Sequence, residues 1–345
     1  MSDGVLATET VTLSEAQTLM HCLATEHSLL LLSPPGVGKS ASVTQAAARA
    51  GLACRSLLGT QIAPEDVSGI PRIVGERSVF CPPRVLLPER PEPFCLFLDE
   101  LPAAAPDIQK AFYSLLLERR IGEHTLPPGT WVVAAGNRAE DRALVRTVSS
   151  ALVNRVIVLN VRVDVREWLI WAKQNGIRAD ILAFIAFLPQ ALMRETPREP
   201  RPFSTPRAWA ALSGALSRAE HAGILTPTLH RALAFGCVSA EDAAVFCAVA
   251  EEAIEELQPA LTYIEHPDRL PTSAIALWFL LNRVRAAAAA GELDAFAPAV
   301  IQRFLEYLPD EHRFAVLVDQ VRLWGRLGAS EVMLSALKQT TGLDT

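Results

Sequence analysis

Apolar positions fall into two regimes along the chain. Up to about residue 162 they come as short uninterrupted runs, at Ser28–Ser33, Ala53–Gly59, Phe94–Asp99, Trp131–Gly136 and Val156–Val161, each bounded by Gly, Pro or polar residues. Runs this short and this continuous predict strands buried on both faces, as in a parallel sheet. Helical spacing occupies Lys39–Ala50 and Asp107–Arg119 between them, and a leading helix is expected over Ser14–Thr25. Strand and helix in alternation predict a doubly wound α/β sheet. The stretch Arg72–Pro88, with Gly75 in a hairpin-like repeat and then Pro82, Pro83 and Pro88, predicts an insert on the sheet's edge.

From Asp164 onward apolar residues recur at three and four, the spacing of helices. Helices are expected at Asp164–Asn175, Arg178–Leu188 and Pro206–Ala222, with a proline-rich connector at Arg194–Pro206, and they suit a small lid. Further helices follow at Ser239–Leu257, Ser273–Ala290, Ala295–Leu308 and Glu311–Leu327. The change of pattern predicts three parts: an α/β domain over 1–162, a helical lid over 163–225 and a helical C-terminal subdomain over 226–345. A length of 345 residues fits that number of domains.

Composition narrows the function. The most apolar stretches, Leu29–Leu32 and Ala274–Leu281, fall far short of the roughly 18 residues that cross a bilayer. Met1-Ser2-Asp3-Gly4 has no basic segment leading into an apolar one. The expectation is a cytoplasmic protein with no membrane partner. The six cysteines contain no C-x-x-C, which argues against zinc and against a disulfide framework. A net charge of −6 repels a phosphate backbone and argues against nucleic acid as the partner. The seven histidines form no H-E-x-x-H, and no G-x-S-x-G is present. Trp168 and Trp171 flank apolar helix positions and are expected to fill core.

Three motifs carry chemistry. The run Leu29-Leu30-Leu31-Leu32-Ser33-Pro34-Pro35-Gly36-Val37-Gly38-Lys39-Ser40-Ala41 reads as a strand, a glycine turn and a helix start. In such a loop Gly36 and Gly38 let backbone N–H groups curl around anionic oxygens, and the helix directs its positive end at them. Lys39 would reach the β- and γ-phosphates of ATP and Ser40 would ligate Mg²⁺, with Pro35, Gly36, Val37, Gly38 and Ala41 completing the nucleotide contact. Ser33 stands where this motif has its first glycine; the position needs freedom but little room, so serine fits, with altered affinity as the consequence. Phe94-Cys95-Leu96-Phe97-Leu98-Asp99-Glu100 is a buried strand expected beside that loop, ending in two carboxylates at the edge where α/β sheets hold ligands. Asp99 would hold Mg²⁺ through water, and Glu100 would orient and deprotonate the attacking water. Trp131-Val132-Val133-Ala134-Ala135-Gly136-Asn137 ends in an amide that would touch the γ-phosphate and that water.

These ordered motifs resemble an AAA+ ATPase, and several further runs resemble its MoxR-like branch. They are Pro64–Pro71, the proline-rich Cys81–Pro88, Glu118–Glu123 running on to Gly129, and Ser150-Ala151-Leu152-Val153-Asn154-Arg155-Val156. The resemblance implies a P-loop NTPase sheet sandwiched by helices with a helical lid, assigns Arg155 as an arginine finger with Arg146 as its rival, and sets Arg207 of Ser204-Thr205-Pro206-Arg207 at the start of a lid helix facing phosphate. It further implies a hexameric ring that remodels a partner protein, commonly one with a von Willebrand factor A domain. Two other readings stay open: a scaffold gated by ATP with little turnover, and a DNA-acting motor subunit.

Overall fold

A computed structural model of the protein describes residues 9–87, 92–121, 124–138, 150–256, 259–272, 274–309, 312, 313, 316 and 327. Within it the chain divides into two compact units, 1–168 with 193–207, and 169–192 with 208–345.

The first unit opens with α1 (Leu13–Leu23), started by a reciprocal cap in which Glu15 N–H donates to Thr12 Oγ1 and Thr12 N–H donates to the Glu15 carboxylate. Then come β1 (Leu29–Ser33), α2 (Lys39–Arg49), β2 (Ala53–Leu58), α3 (Glu65–Ser68), β3 (Ile70–Val74), β4 (Arg77–Cys81), β5 (Phe94–Asp99), α4 (Pro106–Ala111), α5 (Tyr113–Glu118), β6 (Arg120–Ile121), β7 (His124–Thr125), β8 (Trp131–Asn137), α6 (Ser150–Val153) and β9 (Ile157–Asn160).

β1, β2, β5, β8 and β9 form one parallel sheet in the order β2-β5-β8-β1-β9. Each central strand deals its side chains alternately to two faces. Leu30, Leu96, Leu98, Val132 and Ala134 pack with Ile108 of α4, Leu116 of α5 and Phe112 between them. Leu29, Leu31, Cys95, Phe97, Val133 and Ala135 pack with Ala16 and Met20 of α1 and with Val43, Ala46 and Ala47 of α2. Cover on both faces is why the strands read as unbroken apolar runs.

Two expectations need correction. The strand ending in Asp99 and Glu100 is not next to β1, because β8 lies between them. The helix expected over Asp107–Arg119 breaks at Phe112, which is fully buried and whose N–H donates to the Gln109 carbonyl three residues back at 3.2 Å. The insert has the hairpin expected around Gly75 (φ 65°): among the described residues β3 and β4 pair with each other and not with the five-stranded sheet. Pro88, Arg146, the residues Met1–Gly4 and most of Glu311–Leu327 lie outside the described residues.

The second unit is helical. It holds the last part of α7 (Val165–Gln174), α8 (Ala179–Phe187), most of α9 (Pro206–His221), α10 (Pro227–Cys237), α11 (Ala240–Glu256), α12 (Ala260–Glu265), α13 (Ala274–Ala290) and α14 (Pro298–Glu306). Phe184, Trp209 and Phe246 form an aromatic centre with ring centroids 5.3–5.7 Å apart. The Trp209 indole N–H donates to the Ala191 carbonyl at 2.7 Å, satisfying its one polar group. Tyr263, Leu280, Leu281, Ile301 and Phe304 build a further core among α12, α13 and α14. Among the described residues no helix is long and apolar enough to cross a membrane.

Candidate functional site

The carboxyl ends of β1, β5 and β8 bring five of the expected residues to one edge of the sheet. Ser33 and Asn137 are register partners at the tips of β1 and β8. Beyond Ser33 the chain turns through Gly36 (φ 79°) and Gly38 (φ 110°), a left-handed pair that only glycine adopts without cost, and enters α2 at Lys39. Val37 is 4 % exposed in the core beside α1 and α2, so its side chain anchors the loop while the backbone is left to face outward.

Lys39 is buried, and its ammonium donates to Asn137 Oδ1 at 3.0 Å, to Ser33 Oγ at 2.9 Å, and to the Ser33 and Pro34 carbonyls, each at 3.2 Å. The Ser40 hydroxyl donates to Asp99 Oδ2 at 2.7 Å. That pair of hard oxygens fits Mg²⁺, which binds through one or two protein oxygens together with phosphate and water. Glu100 follows with φ 54°, a strained value for a residue with a β-carbon, and its carboxylate accepts from Thr60 Oγ1 at 3.1 Å.

The segment Ser204–Arg207 closes on the loop. Arg207 N–H donates to the Gly36 carbonyl at 3.0 Å, and a β-carbon on Gly36 would lie 2.6 Å from Thr205 Oγ1. Gly36 therefore has no side chain for two reasons, its φ and the threonine packed on it. The Arg207 side chain is exposed.

Gly136 meets a similar constraint. A β-carbon there would lie 2.3 Å from Pro102 Cγ, because the turn after Glu100 packs directly on β8. Gly136→Ala is expected to cost about 1–3 kcal/mol as overpacking, read as a lower Tm by circular dichroism, and to shift Asn137 out of register with Ser33.

Arg155 does not join this group. Ile157, two residues on, pairs with Leu29 at the amino end of β1. At about 3.3 Å per residue the four steps to Ser33 put Arg155 roughly 13 Å or more from the loop. Its guanidinium lies 4.7 Å from the Tyr113 ring centroid and donates to the Ala151 carbonyl at 2.6 Å.

Sequence reasoning named none of Thr60, Pro102, Tyr113 or Thr205 as partners; each contact joins residues distant in the chain, and no local pattern announces it. Toward the amino ends of β2 and β5, Cys54 and Cys95 are register partners. A hydrogen bond with the Cys95 thiol pulls Cys54 down to about 6, aided by Thr44 against the effect of burial; the same bond, with burial, pushes Cys95 up.

A buried lysine and a hydroxyl at the start of a helix, a carboxylate at the tip of the next-but-one strand and an amide on the strand between are arranged as a P-loop NTPase site requires. Residues 28–162 match the family model of the AAA domain, dynein-related subfamily. That match covers less than half of the chain; the fold is that of an AAA+ P-loop NTPase, and the chain is an ATPase. No curated protein matches the chain. Among solved structures it is similar to the Thermotoga maritima RuvB Holliday junction branch migration motor, at 16% identity over 84% of this chain and 86% of that one, with a TM-score of 0.40. It is also similar to a candidate ATPase from Cytophaga hutchinsonii, at 14% identity over 86% and 89%, with a TM-score of 0.35.

Proposed function

We propose that this chain is a MoxR-like AAA+ ATPase that hydrolyses Mg·ATP at the interfaces of a ring, expected to be a hexamer, and remodels a partner protein in the cytoplasm, one carrying a von Willebrand factor A domain. The observation that carries the reading is the pairing of Lys39 with Asn137 and of Ser40 with Asp99 at a single sheet edge. Backbone N–H groups from Pro35 to Ala41 bind the phosphates, Lys39 contacts the β- and γ-phosphates, and Arg207 reaches them from the start of α9. Ser40 and Asp99 hold Mg²⁺, which neutralises phosphate charge when bound. Glu100 takes a proton from the attacking water, and Asn137 orients that water toward the γ-phosphate. Arg155 serves the site of the next subunit.

Residues 163–225 act as the lid and 226–345 as a C-terminal subdomain. Loss of the γ-phosphate then releases contacts that hold loop, lid and neighbour, and each turnover moves the inserts. The β3–β4 hairpin supports a client-binding role: Ile70, Ile73, Val74 and Phe80 are exposed, with Ile73 at 80%. His124 of the β6–β7 hairpin contacts the Phe80 carbonyl at 3.3 Å, so the two inserts adjoin.

Lys39→Ala tests the site. The native chain is expected to bind Mg·ATP and to assemble on binding, both followed by titration calorimetry and sedimentation; Lys39→Ala should lose affinity about a hundredfold, as a buried cation with several charge-assisted bonds to phosphate is removed. Unchanged affinity in Lys39→Ala refutes the proposed site. The same assembled protein, assayed with DNA, is expected to show no stimulation of turnover.

A further inference from the structure

Ser33 departs from the glycine that this loop pattern calls for, and its hydroxyl has work to do. The residue is fully buried, and it is absent from the described non-glycine residues with positive φ, which are Glu100 and Arg119. Serine therefore imposes no backbone strain here. Its Oγ donates to the Pro34 carbonyl at 2.9 Å and accepts from the Lys39 ammonium at 2.9 Å.

A lysine ammonium has three N–H donors. Among the described residues Lys39 faces at least four acceptors, namely the Ser33 carbonyl, Ser33 Oγ, the Pro34 carbonyl and Asn137 Oδ1. Three of them would exist with glycine at position 33. The fourth belongs to the serine side chain and gives the shortest of the four contacts. In a buried setting a bond from a charged donor is stronger than one between neutral groups. Phosphate oxygens need the same three N–H groups, so each bond they gain displaces one to the protein.

We propose that Ser33 is a positioning residue that competes with nucleotide phosphates for Lys39 and thereby weakens the hold of this chain on both ATP and ADP. The inference rests on the nucleotide site proposed above. Both nucleotides respond, because the β-phosphate that Lys39 contacts is common to them. The competition acts on binding and release; the bond to the γ-phosphate breaks with Lys39 already transferred, so the rate of the cleavage step changes little while steady-state kcat follows ADP release.

The test uses the full chain with Mg·ATP and Mg·ADP as probes, measuring Kd by calorimetry and the cleavage rate by single turnover. Ser33→Ala and Ser33→Gly are each expected to lower Kd for both nucleotides about tenfold, the equilibrium worth of one charge-assisted bond, and in single-turnover assays to leave the cleavage rate within about twofold. Tightening by Ser33→Gly alone would assign the effect to the β-carbon and overturn the proposal, as would unchanged or weaker binding in both. Both replacements are smaller than serine, and if Ser33→Ala does not fold, Ser33→Gly combined with Ser33→Thr decides: Thr keeps the hydroxyl and must keep the weak binding. A Lys39→Met background separates cause from coincidence, because there Ser33→Ala must have no further effect, and an equal gain would overturn the proposal. Native affinity in Lys39→Met itself refutes the site reading instead, a different result from a failure confined to Ser33.

Discussion

Arg155→Ala is expected to cut ATP turnover about 10³-fold, the worth of a trans-supplied arginine finger, while each subunit keeps its affinity for Mg·ATP. The register of β9 on β1 is the reason: Arg155 stands at the amino end of the sheet and the nucleotide loop at the carboxyl end, so one subunit cannot bring both to the same phosphate. Guanidinium is planar, always charged and suited to bridging phosphate oxygens, which lysine in its place would not reproduce. The Tyr113 ring beneath it holds the group near the surface end of β9 without consuming its donors. Mixing Arg155→Ala with Lys39→Ala subunits gives the decisive readout. One variant keeps an intact loop and the other an intact finger, so mixed assemblies contain some complete sites, and turnover returns in proportion to their number. Absence of recovery at every ratio would remove Arg155 from the interface role, and the parallel mixture with Arg146→Ala then identifies the alternative.

The strands were legible because burial on both faces leaves a plain signature. Phe94–Asp99 is predicted and observed with the same ends, and Trp131–Gly136 differs from β8 only by Asn137 at its tip. Sheet order was not legible. Nothing local in the apolar run of β8 says that it lies between β1 and β5, since backbone hydrogen bonds carry no sequence label. α10 escaped notice although Thr226 caps it and Pro227 opens it, a sequence signal for a helix start. The site shows the same division. Glycines, lysine and the acidic pair announce themselves by local spacing, whereas the partners that fix them, Thr60 on Glu100, Thr205 on Gly36 and Pro102 on Gly136, arise from folding. Even the requirement for Gly136 could be read only once the proline packed on it was known.

Glu100→Gln is expected to lower turnover about a hundredfold or more, in the range of a lost general base, and to leave Mg·ATP binding and assembly in place. Glutamine retains the side-chain length and an oxygen to accept from Thr60, so the geometry survives and only the basicity goes. The backbone supplies an independent check. At φ 54° Glu100 occupies a region that costs a residue with a β-carbon about 1–2 kcal/mol. Glu100→Gly removes that cost, so it should raise Tm while abolishing turnover as fully as Glu100→Gln does. A residue kept only for structure would not lose activity as the fold gained stability. If Glu100→Gln turns over ATP at the native rate, another group activates the water, and the strain at position 100 needs a different explanation. With turnover stopped and binding retained, the Glu100→Gln assembly is also the form on which a client should persist, so the protein that co-purifies with it from the native source identifies the partner.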